Sequence, residues 1–553
     1  MMYRLAPITP VWYNLTMALS STIATVRELV SLMKEHDVTR CILCPGSRNA
    51  PISLTLAQAE GFECRNVTDE RSAGFAALGW ATQSKAPVAV CVTSGSALLN
   101  LHPAVAEAFY RHIPLLVISA DRPAAWINQQ DGQTLPQPNA ISPLCRKSVN
   151  LPEYDEYGWH TNRLLNEALL ELRHRAGGPV HINVPLDEPL FETTGEPIAP
   201  TRVIRRTELA HMDADEEQEL IDIAAALPRR MLLLGQMGEC PNIPDELKEE
   251  HAFAVVAEHL SNCHNADCYQ PDTLIGPNLE EPNIESPELL ITMGGCLVSK
   301  RLKQYFRHHP PVEHWHICKD GEVCDTFCSL TRVIEGDPDE LLELLVAFSQ
   351  EGDDAYRSAW CYQPTKFQAE YSGMTLVGEL LSTMPEDSVL HLANSSAVRY
   401  AQLFPLKAGV AVECNRGVNG IEGSLSTAFG YALGDERLQF IVCGDLSFFY
   451  DMNALWQDKA PENTRILLLN NGTGGIFHAI GAPDIDAVRG AHHTSAEAWA
   501  KSCGWNYKAI RADSDYRTAI VDFCAVEAGP TIIEAFTDSV SDAAILKNFY
   551  NKH

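Results

Sequence analysis

Ile441-Val-Cys-Gly-Asp-Leu-Ser447 and Leu467-Leu-Leu-Asn-Asn-Gly-Thr-Gly-Gly475 share one construction: a short apolar run that ends in a polar, glycine-containing turn. Such a run, bounded by turn residues, is how a strand buried on both faces of a parallel sheet appears in sequence. Asp445 and Asn471 are 26 positions apart (471 − 445), enough chain for one crossover helix. Both turns are then expected at the carboxyl edge of one sheet, where ligands bind in open α/β folds. The spacing sets an Asp carboxylate beside an Asn amide oxygen on adjacent strand ends. Hard oxygen donors suit Mg2+, which takes its remaining ligands from phosphate oxygens and water. Gly444 and the helix start after it add backbone N–H groups for a phosphate.

The same pattern extends outward along the chain. Cys41–Leu43, Val88–Val92, Leu115–Ile118 and Val180–Val184 form a first set of expected strands, followed by the polar, Pro-containing stretch Glu192–Thr201, which fits a linker. Met231–Leu234 and Leu289–Thr292 belong to a second set that fades into the acidic stretch Gln350–Asp354. Val389–Leu392, Phe440–Cys443, Ile466–Leu469 and Thr531–Ala535 form a third. The fold class is therefore α/β, with three doubly wound domains of mainly parallel sheet: 1–195, 202–350 and 360–553.

The 553 residues exceed one core, in keeping with three units. A formal charge of −30, from 42 Lys and Arg against 72 Asp and Glu, argues against nucleic-acid or anionic-membrane binding. An anionic substrate must then be met by a local cluster of cations. The 17 cysteines are scattered, many in apolar runs, and read as reduced, buried thiols. Cys41 and Cys44 form a CxxC, and Cys263-His264 with Cys268 hints at zinc without a second pair. Both are read as structural. Met1–Ser20 carries Pro7 and Pro10 and no apolar core of a signal peptide, and no apolar run is long enough to span a bilayer, so a cytoplasmic protein is expected.

Taken together, the two turns resemble the metal–diphosphate signature of thiamine-diphosphate-dependent enzymes, which begins Gly-Asp and closes on Asn-Asn. Leu446 stands where many members carry Gly. The resemblance implies thiamine diphosphate and Mg2+ or Mn2+ as cofactors, with Asp445, Asn471 and the backbone carbonyl of Thr473 as metal ligands. It also implies cofactor contacts at Ser96, Gly444, Leu446, Ser447 and Ile421. Such chemistry requires a glutamate that pushes the aminopyrimidine into its imino tautomer. Glu70, in Asn66-Val-Thr-Asp-Glu-Arg-Ser-Ala-Gly-Phe75, is the candidate. The small residues Ser72, Ala73, Ala76, Ala77 and Ala81 after it permit close helix packing, at a dimer interface or a cofactor wall.

Ten further stretches resemble the menaquinone-pathway MenD family along nearly the whole chain. They are Cys44–Arg48, Thr68–Arg71, Val92–Ser96, Ala120–Pro123, Ser299–Leu302, Asn394-Ser395 with Arg399, Asn415–Gly417, Gly420–Gly423, Gly444–Ser447 and Gly475-Ile-Phe477. That family joins a four-carbon unit from 2-oxoglutarate, released with CO2, to isochorismate. Both substrates are dicarboxylates, so several cations are expected in the pocket. By resemblance Ser395 and Arg399 engage the 2-oxoglutarate-derived part, and Arg48, Gln133, Lys300, Arg301 and Arg416 line the acceptor region. Arg122 joins the substrate-binding set. Ile421 is the apolar wedge under the cofactor, and Phe477 an apolar wall. Asn128–Gln133 matches only loosely. The resemblance further implies a homodimer or homotetramer whose active sites lie at the subunit interface. The rivals are another carboligase of the same cofactor class, such as an acetohydroxyacid synthase, and a dinucleotide-binding protein. The crowd of arginines opposes the first. The second lacks a Gly-x-Gly-x-x-Gly after any expected strand.

Overall fold

A computed structural model describes residues 19–552 except 157, 205–213, 251, 277, 323, 347–351, 362–369, 458–459, 476–477 and 479–485. Three parallel sheets follow one another along the chain. The first holds β2 (Arg40–Leu43), β3 (Glu63–Asn66), β4 (Val88–Val92), β5 (Leu115–Asp121), β6 (Lys147–Asn150) and β7 (Val180–Pro185), in the order β3-β2-β4-β5-β7-β6. The second holds β9 (Arg230–Leu234), β10 (Phe253–Ala257), β11 (Leu289–Met293), β12 (Glu313–Cys318) and β13 (Arg332–Glu335), in the order β10-β9-β11-β12-β13. The third holds β14 (Val389–Leu392), β15 (Ala411–Cys414), β16 (Gln439–Gly444), β17 (Thr464–Asn470), β18 (Asn506–Ile510) and β19 (Thr531–Phe536), in the order β15-β14-β16-β17-β19-β18. Counted within each sheet, the first and third therefore have the same strand order, 2-1-3-4-6-5.

Each central strand is apolar on both faces because helices cover both. In β4, Ala89 and Cys91 enter one apolar cluster while Val88, Val90 and Val92 enter another on the opposite face. Every strand expected from sequence is present, most of them longer by one to three residues. Nine more strands occur among the described residues, including the polar edge strands β3 and β18, whose side chains are mostly exposed.

Two expectations take a different form in the structure. The Glu192–Thr201 stretch is not a free linker: Thr193–Thr194 (β8) pairs antiparallel with Ser20–Ser21 (β1), and the Pro197 carbonyl accepts from Arg27 at 2.7 Å. The helix Asp354–Trp360 follows the acidic stretch, and its Tyr356 and Trp360 are buried against Met231 and Leu233 of the second sheet.

The small-residue stripe after Glu70 has its partner inside the chain. The helix Glu70–Ser84 crosses the helix Ser424–Ala432 of the third sheet with backbones nearly touching. A Cβ on Gly79 would sit 1.9 Å from the Thr427 carbonyl oxygen, and one on Gly430 2.0 Å from that of Ala76. The first and third units are thus clamped together within one chain, and the stripe is used there rather than at a free surface.

Candidate active site

Among the described residues, most of the motifs singled out in the sequence follow the carboxyl end of a strand. In sheets of this order the crevice opens between the first and third strands, where successive connections leave toward opposite faces. In the first sheet that crevice is flanked by Ser47-Arg48 after β2 and Gly95-Ser96 after β4. In the third it is flanked by Ser395 after β14 and Asp445 after β16.

Asp445 and Asn471 follow adjacent parallel strands, with Gly444 in register with Leu469. Asp445 is 3% exposed. Its Oδ1 accepts from the Leu446 N–H at 2.7 Å, and its Oδ2 from those of Asn471 at 3.1 Å and Gly472 at 2.8 Å. Burial pushes the Asp445 carboxyl up, opposed by these donors and by His492. The His492 Nε2 lies 3.3 Å away, buried and without hydrogen-bond geometry to any partner among the described residues. The Asn471 Oδ1 accepts from the Thr473 N–H at 3.2 Å. The turn is held by 489–492: Gly474 N–H donates to the Arg489 carbonyl and His492 N–H to that of Gly472, each at 2.8 Å.

The donor set decides what fits here. Among the described residues no three His, Cys, Asp or Glu side chains are placed to hold a metal, so the zinc hint at Cys263, His264 and Cys268 finds no cluster. A single buried carboxylate with amide and carbonyl oxygens is too few for a cation held by protein alone, but suits Mg2+ whose other ligands are phosphate oxygens and water. A Cβ added to Gly444 would meet no heavy atom within 4 Å, so space adjoins this carboxylate. The residues fit a diphosphate–metal unit.

Ser395 has φ +74°, a conformation L side chains rarely adopt, which costs about 1–3 kcal/mol and gathers at functional sites. Its carbonyl accepts from the Arg399 guanidinium at 2.7 Å. Arg399 is half-buried, and burial followed by the neighbouring Arg416 lowers its pKa. Arg416, 5% exposed, donates to Asn394 Oδ1 at 3.0 Å, and its Nε has no partner. Neither guanidinium forms an ion pair among the described residues. Arg301, half-buried at the start of the helix Lys300–His308, donates to the Gly276 carbonyl, and Lys300 beside it is exposed.

A second cationic group lies in the first unit. Arg48 is 5% exposed and donates to the Leu186 carbonyl at 3.0 Å. Burial and then Arg122 lower its pKa. Arg122 pairs with Asp131 at 3.1 Å, and the two arginines line one cleft with Ser47 and Leu190. Gln133 is exposed, with φ +55° and its backbone against Gly95. No hydrogen bond or ion pair among the described residues joins these two groups.

Glu70 opens its helix behind the cap Asp69, which accepts from the Arg71 and Ser72 N–H groups and from Asn453 Nδ2 at 2.7 Å. The Glu70 carboxylate is half-buried and accepts from Asn100 Nδ2 at 3.3 Å. Ser96 is exposed, Ser447 buried, and Leu446 and Ile421 half-buried. Phe477 lies outside the described residues.

Residues 24–141 match the family described as thiamine pyrophosphate enzyme, N-terminal TPP binding domain. The 2-succinyl-5-enolpyruvyl-6-hydroxy-3-cyclohexene-1-carboxylate synthase of Bacteroides fragilis is 48% identical, over 95% of this chain and 98% of that protein. The chain belongs to this synthase family. The synthase of Bacteroides thetaiotaomicron is 47% identical over the same shares, and that of Porphyromonas gingivalis 35% identical over 95% and 96%. In fold, the chain is similar to a thiamine diphosphate-dependent 4-hydroxybenzoylformate decarboxylase of Rhodococcus jostii, with a TM-score of 0.72 and 19% identity over 93% of this chain and 99% of that one.

Several residues beside these synthase motifs carried no sequence signal. His492 faces Asp445 from 47 positions away (492 − 445). The buried Glu107 accepts from the Gly417 and Val418 N–H groups, each at 3.0 Å, which ties the first unit to the loop bearing Arg416 and Ile421.

Proposed function

We propose that this enzyme decarboxylates 2-oxoglutarate and adds the resulting four-carbon unit to isochorismate, giving 2-succinyl-5-enolpyruvyl-6-hydroxy-3-cyclohexene-1-carboxylate for menaquinone biosynthesis. The observation that carries this reading is the Arg399–Arg416 pair beside Ser395. Two neighbouring guanidiniums withdrawn from water, without carboxylate partners among the described residues, suit an anion that brings its own charge. An acetohydroxyacid synthase, whose oxo acids carry one carboxylate, has less use for such a pair. Membership of the synthase family supports the same substrates.

Thiamine diphosphate, when bound, supplies the electron sink for the charge left as CO2 departs. Asp445, Asn471 and the Thr473 carbonyl hold its Mg2+ or Mn2+, and the N–H groups after Gly444, with Leu446, Ser447 and Ser96, receive the cofactor itself. Glu70 holds the proton at the aminopyrimidine ring nitrogen. Ile421 would supply the apolar wedge against which the cofactor rests. Ser395 and Arg399 orient 2-oxoglutarate. Arg48, Arg122, Gln133, Lys300, Arg301 and Arg416 orient isochorismate, and Phe477 walls the site.

Within the chain, Asp69 and Arg71 contact Asn453 and the Tyr450 carbonyl, at the far end of the helix Asp445–Tyr450 from Asp445. That favours completion of each site by Glu70 of a second subunit, in a homodimer or homotetramer. The units 1–195, 202–350 and 360–553 then bind the pyrimidine, support the acceptor side and bind the diphosphate, in a cytoplasmic enzyme. No helix among the described residues is long and apolar enough to cross a membrane.

Incubation with thiamine diphosphate, Mg2+ and 2-oxoglutarate, with and without isochorismate, is expected to release CO2 and to form the adduct only with the acceptor. Arg399→Ala is expected to raise KM for 2-oxoglutarate about 10- to 150-fold, the loss of one charge-assisted hydrogen bond at about 1.5–3 kcal/mol. Pyruvate turnover should suffer less. An equal loss with both oxo acids would remove Arg399 from recognition of the distal carboxylate.

A further inference from the structure

Gln137 and Asn183 are both fully buried, yet neither belongs to any motif that the proposed chemistry uses. Gln137 sits in the loop between β5 and β6, four residues after Gln133. Its Oε1 accepts from the Gly95 N–H at 2.7 Å, the residue before Ser96. Its Nε2 donates to the Ala120 carbonyl at 3.1 Å and to Asn183 Oδ1 at 2.8 Å. Asn183, on β7, also accepts from Ser119 Oγ at 2.7 Å. Its Nδ2 donates to Asp121 Oδ2 at 2.8 Å and to Asn150 Oδ1 at 2.7 Å, so all four of its hydrogen-bonding positions are used. Asp121 Oδ1 in turn accepts from the Arg122 N–H at 2.8 Å.

This network runs along the carboxyl edge of the first sheet, from the turn before Ser96 to the backbone of Arg122. At its other end, Gly95 has φ +86°, and a Cβ there would lie 3.2 Å from the Gln133 Cα. The loop carrying Gln133 is therefore seated on the Gly95 turn, with Gln137 as the polar link between them. A fully satisfied buried amide network holds one arrangement, because breaking any member leaves its neighbours unpaired away from water.

We propose that Gln137 and Asn183 are positioning residues that clasp the 124–141 loop to the Gly95–Ser96 turn and thereby set where Arg122 and Gln133 meet isochorismate. This rests on the proposed acceptor reaction. The clasp touches neither Ser395 nor Arg399, the two residues that orient 2-oxoglutarate, so its loss should fall on the acceptor rather than on the donor.

The test is Gln137→Met, which keeps the length of the side chain and removes its polar atoms. Because the turn also carries the cofactor contact Ser96, the assay is run at saturating thiamine diphosphate and Mg2+: decarboxylation of 2-oxoglutarate without acceptor should then stay within about twofold, while KM for isochorismate rises roughly tenfold or more, as expected when a loop is misplaced by a fraction of an ångström. Amide exchange at Gly95 and at residues 128–137 should accelerate, with β5 and β7 unchanged. Loss by the same factor in both half-reactions, or an unchanged KM for isochorismate, overturns the inference. Should Gln137→Met not fold, Gln137→Asn, which keeps the amide but draws it back by one methylene, should give the same split at smaller amplitude. If wild-type protein releases CO2 but consumes no isochorismate, the functional reading falls, and the exchange comparison alone still decides the clasp: wild-type exchange in the loop would overturn it.

Discussion

Glu70→Gln is expected to lower kcat by about 10²-fold or more while leaving metal-dependent cofactor binding nearly intact. The carboxylate is half-buried at the first position of its helix, and its one described side-chain partner, Asn100 Nδ2, can donate equally to a glutamine oxygen. The cap is supplied by Asp69, which the change does not touch. Folding should therefore be unaffected, and the loss must come from chemistry. A glutamine still hydrogen-bonds the aminopyrimidine ring nitrogen but cannot exchange a proton with it. The measurement is exchange of the cofactor C2 proton into D2O on saturated protein, followed by quenched NMR beside a thiamine diphosphate titration. Wild-type exchange in Glu70→Gln would reduce Glu70 to a helix-start acid favoured by the dipole.

The prediction depends on two positions 375 residues apart (445 − 70), reached by different routes: Glu70 from what the cofactor's chemistry requires, Asp445 from its place after an apolar strand. Parallel sheets with both faces covered write their strands as apolar runs, and their ligand-facing turns come directly after those runs. Asp445 and Asn471 could be paired from spacing because their strands are neighbours joined by a single crossover. The strand β18 was not legible because it is an edge: Asn506-Tyr-Lys-Ala-Ile510 is mostly exposed and lacks the apolar run, whereas the edge strand β3 showed only as a short strand giving way to the helix of Glu70. The same limit applied to the site. His492, Glu107, Gln137 and Asn183 act through contacts made only after folding. Each stands alone among residues that look like ordinary loop, helix or strand. The helix stripe of Ser72, Ala73, Ala76, Ala77 and Ala81 correctly announced close packing but not with what, since small residues permit approach without naming the partner.

Asp445→Asn should weaken the loaded protein strongly while leaving the cofactor-free protein nearly unchanged. In the loaded protein the carboxylate offsets a divalent cation, and removing one partner of a buried charge pair costs about 3–5 kcal/mol. Cofactor affinity at limiting Mg2+ should fall by roughly 10²- to 10⁴-fold. In the cofactor-free protein, burial pushes the Asp445 carboxyl up, so the ionised form is held against its preference for water. An asparagine removes that cost. It retains one oxygen, which can face the Asn471 and Gly472 N–H groups while the Leu446 N–H loses its acceptor. The gain and the loss are both about 1 kcal/mol in scale, so the melting temperature without cofactor should move by no more than a few degrees. Wild-type protein should gain thermal stability on addition of thiamine diphosphate and Mg2+, whereas the variant should gain little at the same concentrations. A variant that melts early without cofactor yet keeps the full ligand-induced shift would show that Asp445 serves the Asn471–Gly472 turn alone, and the metal would need another carboxylate.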